Sequence, residues 1–338
     1  MSEALKAILS RAIGKDRPFT DDFAAAFAAV LDGEATPAQI AALVTALAMR
    51  GETAAEIAAA AAALRARMRR FEGGDGLVDV CGTGGDGAHT LNISTAVALV
   101  LAGAGVRVAK HGNRAASSKS GGADVLEALG VRLDADDAAL KRALDRAGLV
   151  FLFAQAHHPA LRHAAPVRRE LGFRTIFNLL GPLANPAGAT RQLVGVFDPR
   201  FLEPMAEAFR TLGAETVWVV HGHGGLDEIA LSGPTEVAAL QAGVVRRMQI
   251  NPADAGLSVA APDALRGGDV AHNAAALKAL LEGAGGPYRD AVLLNAAAAL
   301  VVAGRAEDLR VGAALAARAL DTGAARAALQ ALIAETAR

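Results

Sequence analysis

The sequence predicts an α/β protein, in which a small, mostly helical N-terminal domain precedes a large domain with a mainly parallel sheet flanked by helices. Three observations lead to this prediction. The first 70 residues show helical patterning only, short apolar runs then alternate with helical segments, and the last part of the chain returns to helix. Strands that alternate with helices are typical of a parallel sheet covered on both faces. At roughly 150 residues per domain, a chain of 338 residues is long enough for two domains.

Helix signals recur along the first 70 residues. The sequence Thr20-Asp21-Asp22 is typical of a helix N-cap with favourable first-turn charge, and Gly33 predicts the end of that helix. Residues 36–51 and 53–70 predict two more helices, because each begins with a capping threonine and the first ends at a glycine. The glycine-rich stretch 71–76 (FEGGDG) then predicts a linker.

This linker divides the chain into two predicted domains. We expect the small domain to span residues 1–70, joined by part of residues 166–190, and the large domain to span residues 77–338. Short apolar runs predict its strands at Leu77–Cys81, Val106–Ala109, Leu149–Phe153, Gln192–Phe197 and Thr216–Val220. Residues 227–250 predict a further β segment, and residues 272–338 predict helices.

Composition and net charge exclude several classes of protein. Hydrophobic residues make up 53% of the chain and the net charge is −1, which excludes disorder for most of the chain and argues against a nucleic-acid partner. Cys81 is the one cysteine, so no intrachain disulfide framework exists. The N-terminus shows no secretory pattern, and the apolar stretches fall short of the roughly 18 residues of a membrane span. We therefore expect a soluble, cytoplasmic protein without a membrane partner.

A glycine-rich loop follows the first predicted strand at Gly82–Gly87, and the polar stretch Thr90–Thr95 leads into a predicted helix. Glycines let successive backbone N–H groups approach a ligand, and a helix N-terminus adds positive potential. This pattern favours a phosphate or diphosphate site over a turn without a ligand. The GxGxxG spacing also fits a dinucleotide fingerprint, but Lys110 stands where an acidic residue is expected, which leaves NADP as the dinucleotide alternative.

A second polar loop, Lys110–Gly130, follows the next predicted strand. It combines lysine and arginine cations with hydroxyl and amide side chains, and Gly121-Gly122 precede another predicted helix. Because the carboxyl ends of parallel strands meet at one edge of a sheet, both loops are expected to face the same cleft. Two such loops predict a ligand with several phosphates, and a solvated basic loop is the alternative.

Residues 157–186 contain a candidate carboxylate-binding arginine. Pro166 predicts that a helix restarts there, which places Arg168 near its first turn, beside exposed helix amides. A surface arginine without a ligand is equally compatible with this spacing. The segment 181–186 (GPLANP) predicts a rigid loop that serves as a scaffold.

Asp227 and Glu228 follow a glycine-rich turn after the last of these predicted strands. Carboxylates near a polyphosphate are the usual protein ligands of Mg²⁺. Neighbouring residues of a regular strand point to opposite faces, so a shared site requires irregular backbone or two ions. A zinc site at His221 and His223 lacks further clustered ligands. A glycosidase-like acid/base pair would leave the two phosphate loops without a role.

Five motifs occur in a fixed order along the chain. They are GTGGD at Gly82–Asp86, NIST at Asn92–Thr95, KHGNRAASS at Lys110–Ser118, RTIFNLLGPLANP at Arg174–Pro186 and HGHGGLDE at His221–Glu228. Together they make nearly the whole chain resemble the anthranilate phosphoribosyltransferases. The resemblance implies transfer of the phosphoribosyl group of 5-phosphoribosyl diphosphate (PRPP) to the amine of anthranilate, in tryptophan biosynthesis. It also implies a homodimer and two Mg²⁺ ions per chain.

The resemblance implies a role for each matching position. PRPP would be held by Gly82, Gly85, Asp86, Thr90, Asn92, Ile93, Ser94, Thr95, Lys110, His111, Gly112, Asn113, Arg114, Ala115, Ala116, Ser117, Ser118 and Gly122. Anthranilate would contact Gly82, Asn113 and Arg168, and Mg²⁺ would be coordinated by Ser94, Asp227 and Glu228. No dedicated general acid or base is expected, because an aromatic amine is neutral at pH 7 and the reaction depends on positioning and charge.

Two positions depart from the family pattern. Gln155 stands where a proline is usual before the histidines, and Leu91 replaces a common phenylalanine. Two other functions are compatible with the same architecture. A pyrimidine nucleoside phosphorylase of the same architecture would ignore PRPP, and a nucleic-acid-binding relative would have lost the chemistry. The net charge of −1 and the complete set of polar positions argue against the nucleic-acid binder.

Overall fold

The computed structural model describes residues 3–13, 22–115 and 119–337. The helix cap predicted at Thr20 and Asp21 lies outside the described residues. The same holds for Ala116, Ser117 and Ser118 of the second predicted phosphate loop. All other predicted site residues are described.

Four helices form the N-terminal part: α1 (Glu3–Ile13), α2 (Phe23–Leu31), α3 (Pro37–Arg50) and α4 (Ala54–Arg65). Capping boxes begin α3 and α4, where Thr36 pairs with Gln39 and Thr53 pairs with Glu56. The predicted extension of α4 to residue 70 is wrong, because the chain leaves the helix to form backbone bonds with distant segments. The N–H of Arg69 donates to the carbonyl of His157, at 2.8 Å.

A seven-stranded sheet forms the centre of the molecule, in the order β3-β2-β1-β4-β5-β6-β7. Its parallel strands are β1 (Val78–Gly82), β2 (Val108–Gly112), β3 (Leu149–Phe153), β4 (Arg191–Gly195) and β5 (Thr216–His221). Two antiparallel strands, β6 (Thr235–Gln241) and β7 (Val244–Ile250), complete one edge. The predicted β segment therefore begins at residue 235 rather than 227. The predicted fold class is confirmed.

Three strand boundaries differ from the prediction, and one of them is the end of β2, which continues to Gly112 instead of ending at Ala109. β2 begins two residues later than predicted, because the N–H of Val106 donates to the carbonyl of Leu101 in the turn after a helix. β4 ends at Gly195 rather than at Phe197, whose N–H donates to the hydroxyl of Thr83 at 3.2 Å. The other predicted strands agree with the structure to within one residue.

Eleven further described helices surround the sheet. They are α5 (Ile93–Gly103), α6 (Gly122–Ala128), α7 (Asp137–Ala147), α8 (Ala154–His157), α9 (Ala165–Leu171), α10 (Ile176–Leu183), α11 (Leu202–Thr211), α12 (Val270–Leu281), α13 (Pro287–Val302), α14 (Leu309–Asp321) and α15 (Ala324–Thr336). The prediction of a loop over residues 181–186 is partly wrong, since its first three residues belong to the last turn of α10. Among the described residues, no helix is both long and apolar enough to span a membrane.

Side chains of successive strand residues enter two different apolar cores, as the period of two in a strand requires. In β5, Val217 and Val219 pack with α1–α4, α10 and α11, whereas Trp218 and Val220 pack with α5 and α12–α15. The N-terminal helices thus share one core with a face of the sheet. The parallel strands are covered on both faces, so their ends are the part of these strands that can meet a ligand.

A buried carboxylate ties the two central strands to the segment after α10. Asp79 of β1 is fully buried, and its carboxylate accepts from the N–H of His111 at 3.1 Å and from the Asn185 amide at 2.8 Å. The same amide group of Asn185 donates to the carbonyl of Ala109 at 2.8 Å. Burial raises the pKa of Asp79. Asn185 therefore has the scaffold role that the sequence predicts for its segment.

Two buried histidines lie beside this junction. His111 Nδ1 lies 3.1 Å from the carbonyl of Gly181, which can only accept, so His111 Nε2 is left to accept from His158 Nε2 at 3.2 Å. Burial lowers the pKa of His111 to about 3, helped by repulsion from His158, and lowers that of His158 to about 4. Both rings are therefore neutral in the folded protein near neutral pH.

These two histidines should make the folded protein acid-sensitive. Below pH 6.5 the unfolded chain binds protons at both rings, whereas the folded chain does not until about pH 4. The free energy of unfolding should therefore fall between pH 6.5 and 4, by up to about 1.4 kcal/mol per pH unit for each ring. Urea unfolding of His158→Asn should show a shallower pH dependence, with the exposed His223→Asn as control. An unchanged slope in His158→Asn would contradict the prediction.

Candidate active site

A cleft of 390 Å³ opens at the carboxyl ends of the central strands, between the sheet and helices α9 and α10. Every described residue that the sequence assigned to PRPP, anthranilate or Mg²⁺ lines it. They are Gly82, Gly85, Asp86, Thr90, Asn92, Ile93, Ser94, Thr95, Lys110, His111, Gly112, Asn113, Arg114, Ala115, Gly122, Arg168, Asp227 and Glu228. This position is where ligands bind in open α/β sheets.

The glycine-rich loop after β1 holds the side chain of Asp227 in place. The N–H of Gly84 donates to Asp227 Oδ2 at 2.7 Å. Gly82 and Gly195 are paired at the ends of β1 and β4, and a Cβ atom on either would collide with Asp227. Glycine is required at both positions because the chain around Asp227 crosses directly over these strand ends. The sequence predicted Gly82 as a ligand contact and missed Gly195 entirely.

The Asp227–Glu228 pair lies in an irregular segment after β5, so both side chains reach the same cleft. Glu228 Oε1 accepts from the N–H of Ser94 at 3.2 Å, at the start of α5. Burial raises the pKa of both carboxyls, and for Glu228 repulsion from Asp227 adds to the effect. For Asp227, the neighbouring Asp86 raises the pKa further. Like charges held this close in a half-buried site favour a bound cation.

The donor set fits Mg²⁺ shared with a phosphorylated ligand. Two half-buried carboxylates and the Ser94 hydroxyl are hard oxygen donors, and Mg²⁺ usually takes one or two protein carboxylates together with substrate phosphates and water. The part of the chain that the structure describes contains no group of three or more His, Cys, Asp or Glu side chains arranged to hold a metal by themselves. His221 and His223, the zinc alternative, bond instead to the Val196 carbonyl and to Ser232.

Lys110 lies inside β2 rather than in the loop after it. Its ammonium group is buried and donates to the carbonyl of Val80 at 2.7 Å and to the hydroxyl of Ser94 at 3.2 Å. It also lowers the pKa of Glu228, against the larger effect of burial. Lys110 thus supplies positive charge beside the carboxylate pair without leaving the strand.

The second polar loop is held at two points by a carboxylate that no sequence motif indicated. Asp124 accepts from the N–H of Ala115 and from the N–H of Gly121, each at 2.9 Å. The guanidinium of Arg114 also pairs with Asp124 at 3.0 Å, and with both carboxylate oxygens of Glu127. In this structure Arg114 is therefore neutralised by acidic side chains, although its residue lines the cleft.

A helix restarts at Pro166, as predicted, and Arg168 is the fourth of the seven residues of α9. Its own N–H donates to the carbonyl of Ala164, so the amide of Arg168 itself is not free for a ligand. Its guanidinium instead lies 5.4 Å from the centre of the Phe177 ring. Burial lowers the pKa of Arg168, and no described carboxylate forms an ion pair with it. A partly buried cation on the cleft wall is a suitable receptor for a ligand carboxylate.

Two further contacts were not foreseen. Gln155, which departs from the family pattern, places its amide 3.5 Å from Oδ1 of Asn113. Arg174 lies over the Phe197 ring, with its guanidinium 4.3 Å from the ring centre, and against Gly85 of the glycine-rich loop. Arg174 belongs to the RTIFN motif, which was the one sequence signal that pointed to it.

Known proteins resemble the chain over its full length. Residues 3–68 match the glycosyl transferase family, helical bundle domain, and residues 74–326 match the glycosyl transferase family, a/b domain. An anthranilate phosphoribosyltransferase of Caulobacter vibrioides is 58% identical over 99% of this chain and 98% of its own length.

Solved structures agree with this result. A Thermus thermophilus anthranilate phosphoribosyltransferase superposes with a TM-score of 0.93 at 44% identity, covering all of both chains. The Saccharomyces cerevisiae enzyme in complex with PRPP and Mg superposes with a TM-score of 0.90 at 25% identity, covering 99% of each chain.

The fold and the cleft together define a transferase of the glycosyl transferase family. The similarity extends beyond the general fold, because more than half of the aligned residues are identical to those of the Caulobacter vibrioides enzyme over nearly the whole chain. The chain belongs to the anthranilate phosphoribosyltransferases.

Gly195→Ala should test the contact beneath Asp227. The added methyl group collides with the Asp227 carbonyl, so either the strand end or the carboxylate loop must move. Overpacking of this kind lowers the free energy of unfolding by about 1–3 kcal/mol. Gly285→Ala is the matched control, because its Cβ would meet no atom within 4 Å. Equal midpoints of thermal unfolding for the two variants would show that the contact is not tight.

Proposed function

We propose that the protein transfers the phosphoribosyl group of PRPP to the amine of anthranilate, giving N-(5-phosphoribosyl)anthranilate and diphosphate in tryptophan biosynthesis. One observation carries the proposal: the two ends of the cleft have complementary chemistry. Arg168, which has no described carboxylate partner, lines one wall. Asp227 and Glu228 lie beside the glycine-rich loop and Ser94, where a diphosphate and its metal would bind.

The reaction breaks the bond between ribose C1 and a diphosphate oxygen and forms a bond between C1 and the anthranilate nitrogen. The amine nitrogen supplies its lone pair and afterwards loses a proton to solvent, so attack requires no strong base. The main barrier is the departure of diphosphate from a cation-like carbon. Catalysis therefore rests on alignment of the two substrates and on groups that stabilise the developing negative charge.

Each part of the cleft has a place in this mechanism. The N–H groups of the glycine-rich loop and of the α5 N-terminus would bind diphosphate oxygens. Lys110 would add positive charge where the leaving group develops its own negative charge. Gly82 and Asn113 would complete the anthranilate site opposite Arg168. Mg²⁺, when bound by Ser94, Asp227 and Glu228, would supply further positive charge to the diphosphate.

The proposal also covers features beyond the chemistry. We propose two Mg²⁺ ions per chain, because two adjacent carboxylates and a polyphosphate provide more oxygen donors than one ion needs. We further propose a homodimer that works in the cytoplasm, with a small domain at residues 1–70 and part of 166–190. The large domain would begin at residue 77. The related structure with PRPP and Mg supports the substrate and the metal.

A fluorescence assay tests the proposed function. Purified protein with anthranilate, PRPP and Mg²⁺ should consume anthranilate, and the loss of its fluorescence should require all three components. Removal of the metal with a chelator should stop the reaction, and added Mg²⁺ should restore it. A folded protein that leaves anthranilate untouched but cleaves uridine or thymidine with phosphate would instead be a nucleoside phosphorylase.

Arg168→Ala should weaken the binding of anthranilate without weakening that of PRPP. Loss of a charged hydrogen bond of about 1.5–3 kcal/mol predicts that the KM for anthranilate rises by about 10- to 100-fold, whereas the KM for PRPP stays near its original value. The exposed neighbour Arg169→Ala is the matched control and should leave both constants unchanged. An unaltered KM for anthranilate in Arg168→Ala would place the carboxylate site elsewhere.

A further inference from the structure

The Asp227–Glu228 pair must be held in place by something other than itself. The two side chains come from adjacent residues, are half-buried and line the same cleft. Two like charges this close repel each other, so their positions depend on how the backbone is held. The pair lies in an irregular segment between β5 and β6, where no regular strand ladder supplies that constraint.

A buried asparagine on α13 supplies the missing backbone bonds. Oδ1 of Asn295 accepts from the N–H of Ile229 at 2.9 Å, and its amide group donates to the carbonyl of Ile229, also at 2.9 Å. Ile229 follows Glu228 directly in the chain. One side chain therefore satisfies both polar groups of the residue next to the carboxylate, as a neighbouring strand would do.

The asparagine is itself fully engaged and fully buried. A third bond, from its amide group to the carbonyl of Ala291, fixes the side chain to the preceding turn of α13. Since the Ile229 N–H can only donate, the amide orientation of Asn295 is determined by its partners. Its rotamer and its amide orientation are both fixed, so the side chain can fix the loop in turn.

Packing alone does not account for an asparagine at this position. The residues on either side, from Ala291 to Leu300, are all apolar and buried. An amide in such a core is unfavourable unless every polar group is bonded, and an aliphatic residue would fill the space without that requirement. The bonds to Ile229 are what distinguish this residue from its neighbours on α13.

We propose that Asn295 is a positioning residue for the metal-binding carboxylate of Glu228. This inference rests on the proposed function, because that function makes Glu228 a ligand. Asn295 holds the peptide after Glu228 so that the carboxylate stays beside the Ser94 N–H, ready to bind a cation. Partners that orient metal ligands typically change metal affinity by about 10- to 100-fold when they are replaced.

Binding of Mn²⁺ in the presence of PRPP, measured against PRPP without protein by the EPR signal of the free ion, tests this role without an activity assay. Asn295→Leu removes all three bonds and should weaken Mn²⁺ binding by about tenfold or more. Asn295→Asp keeps the acceptor for the Ile229 N–H but loses the donor, so its affinity should fall less. It also provides a variant of nearly the same shape if the leucine variant does not fold.

A matched control separates positioning from general destabilisation. Leu300→Ala empties a buried site on the same helix and leaves all three Asn295 bonds intact, so it should lower the midpoint of thermal unfolding and keep the original Mn²⁺ affinity. In the fluorescence assay, the Asn295 variants should need more Mg²⁺ for half-maximal rate, at an unchanged KM for anthranilate. Unaltered Mn²⁺ affinity in both Asn295 variants would overturn the inference. Absence of Mn²⁺ binding by the unmodified protein in the presence of PRPP would instead overturn the metal assignment of the proposed function.

Discussion

The close approach of the Asp227 loop to the ends of β1 and β4 is the constraint on which the site depends. Gly82 and Gly195 leave the space for this approach, and the Gly84 N–H meets the carboxylate there. Two acidic side chains are thereby brought into one half-buried place, where desolvation raises the pKa of both carboxyls. The groups around the pair offset this negative charge. Lys110 and the N-terminus of α5 both place positive potential beside the carboxylates.

The two faces of the sheet contribute differently to the cleft. On one face, helices α9 and α10 bring Arg168 and Phe177 to the wall of the cleft. On the other face, α12 and α13 support the strand-end loops from behind, through Asn273, which donates to the side chain of Asn92, and through Asn295. One face therefore presents a ligand-binding group, and the other holds the phosphate and metal groups in position.

The second polar loop shows that a basic residue in a motif can have more than one partner. The guanidinium of Arg114 is bound by Asp124 and Glu127, and Asp124 also holds the backbone at two points of the loop. A phosphate ligand would compete with these carboxylates for the same guanidinium. The sequence indicates the cation but not the competition, because Glu127 lies 13 positions away and meets Arg114 only after α6 forms.

The sequence by itself determined the fold class and most strand positions, because glycine loops, helix caps and apolar runs act locally. The family resemblance added 18 of the 34 residues that line the cleft. The end of α4 and the setting of Arg168 were decided by the tertiary structure, through the bond from Arg69 to His157 and the ring of Phe177. The same is true of Asn295, the one polar residue in the stretch from Ala291 to Leu300 of α13, whose partner lies 66 positions away. Long-range hydrogen bonds and close packing leave no local pattern, so only the folded chain shows them.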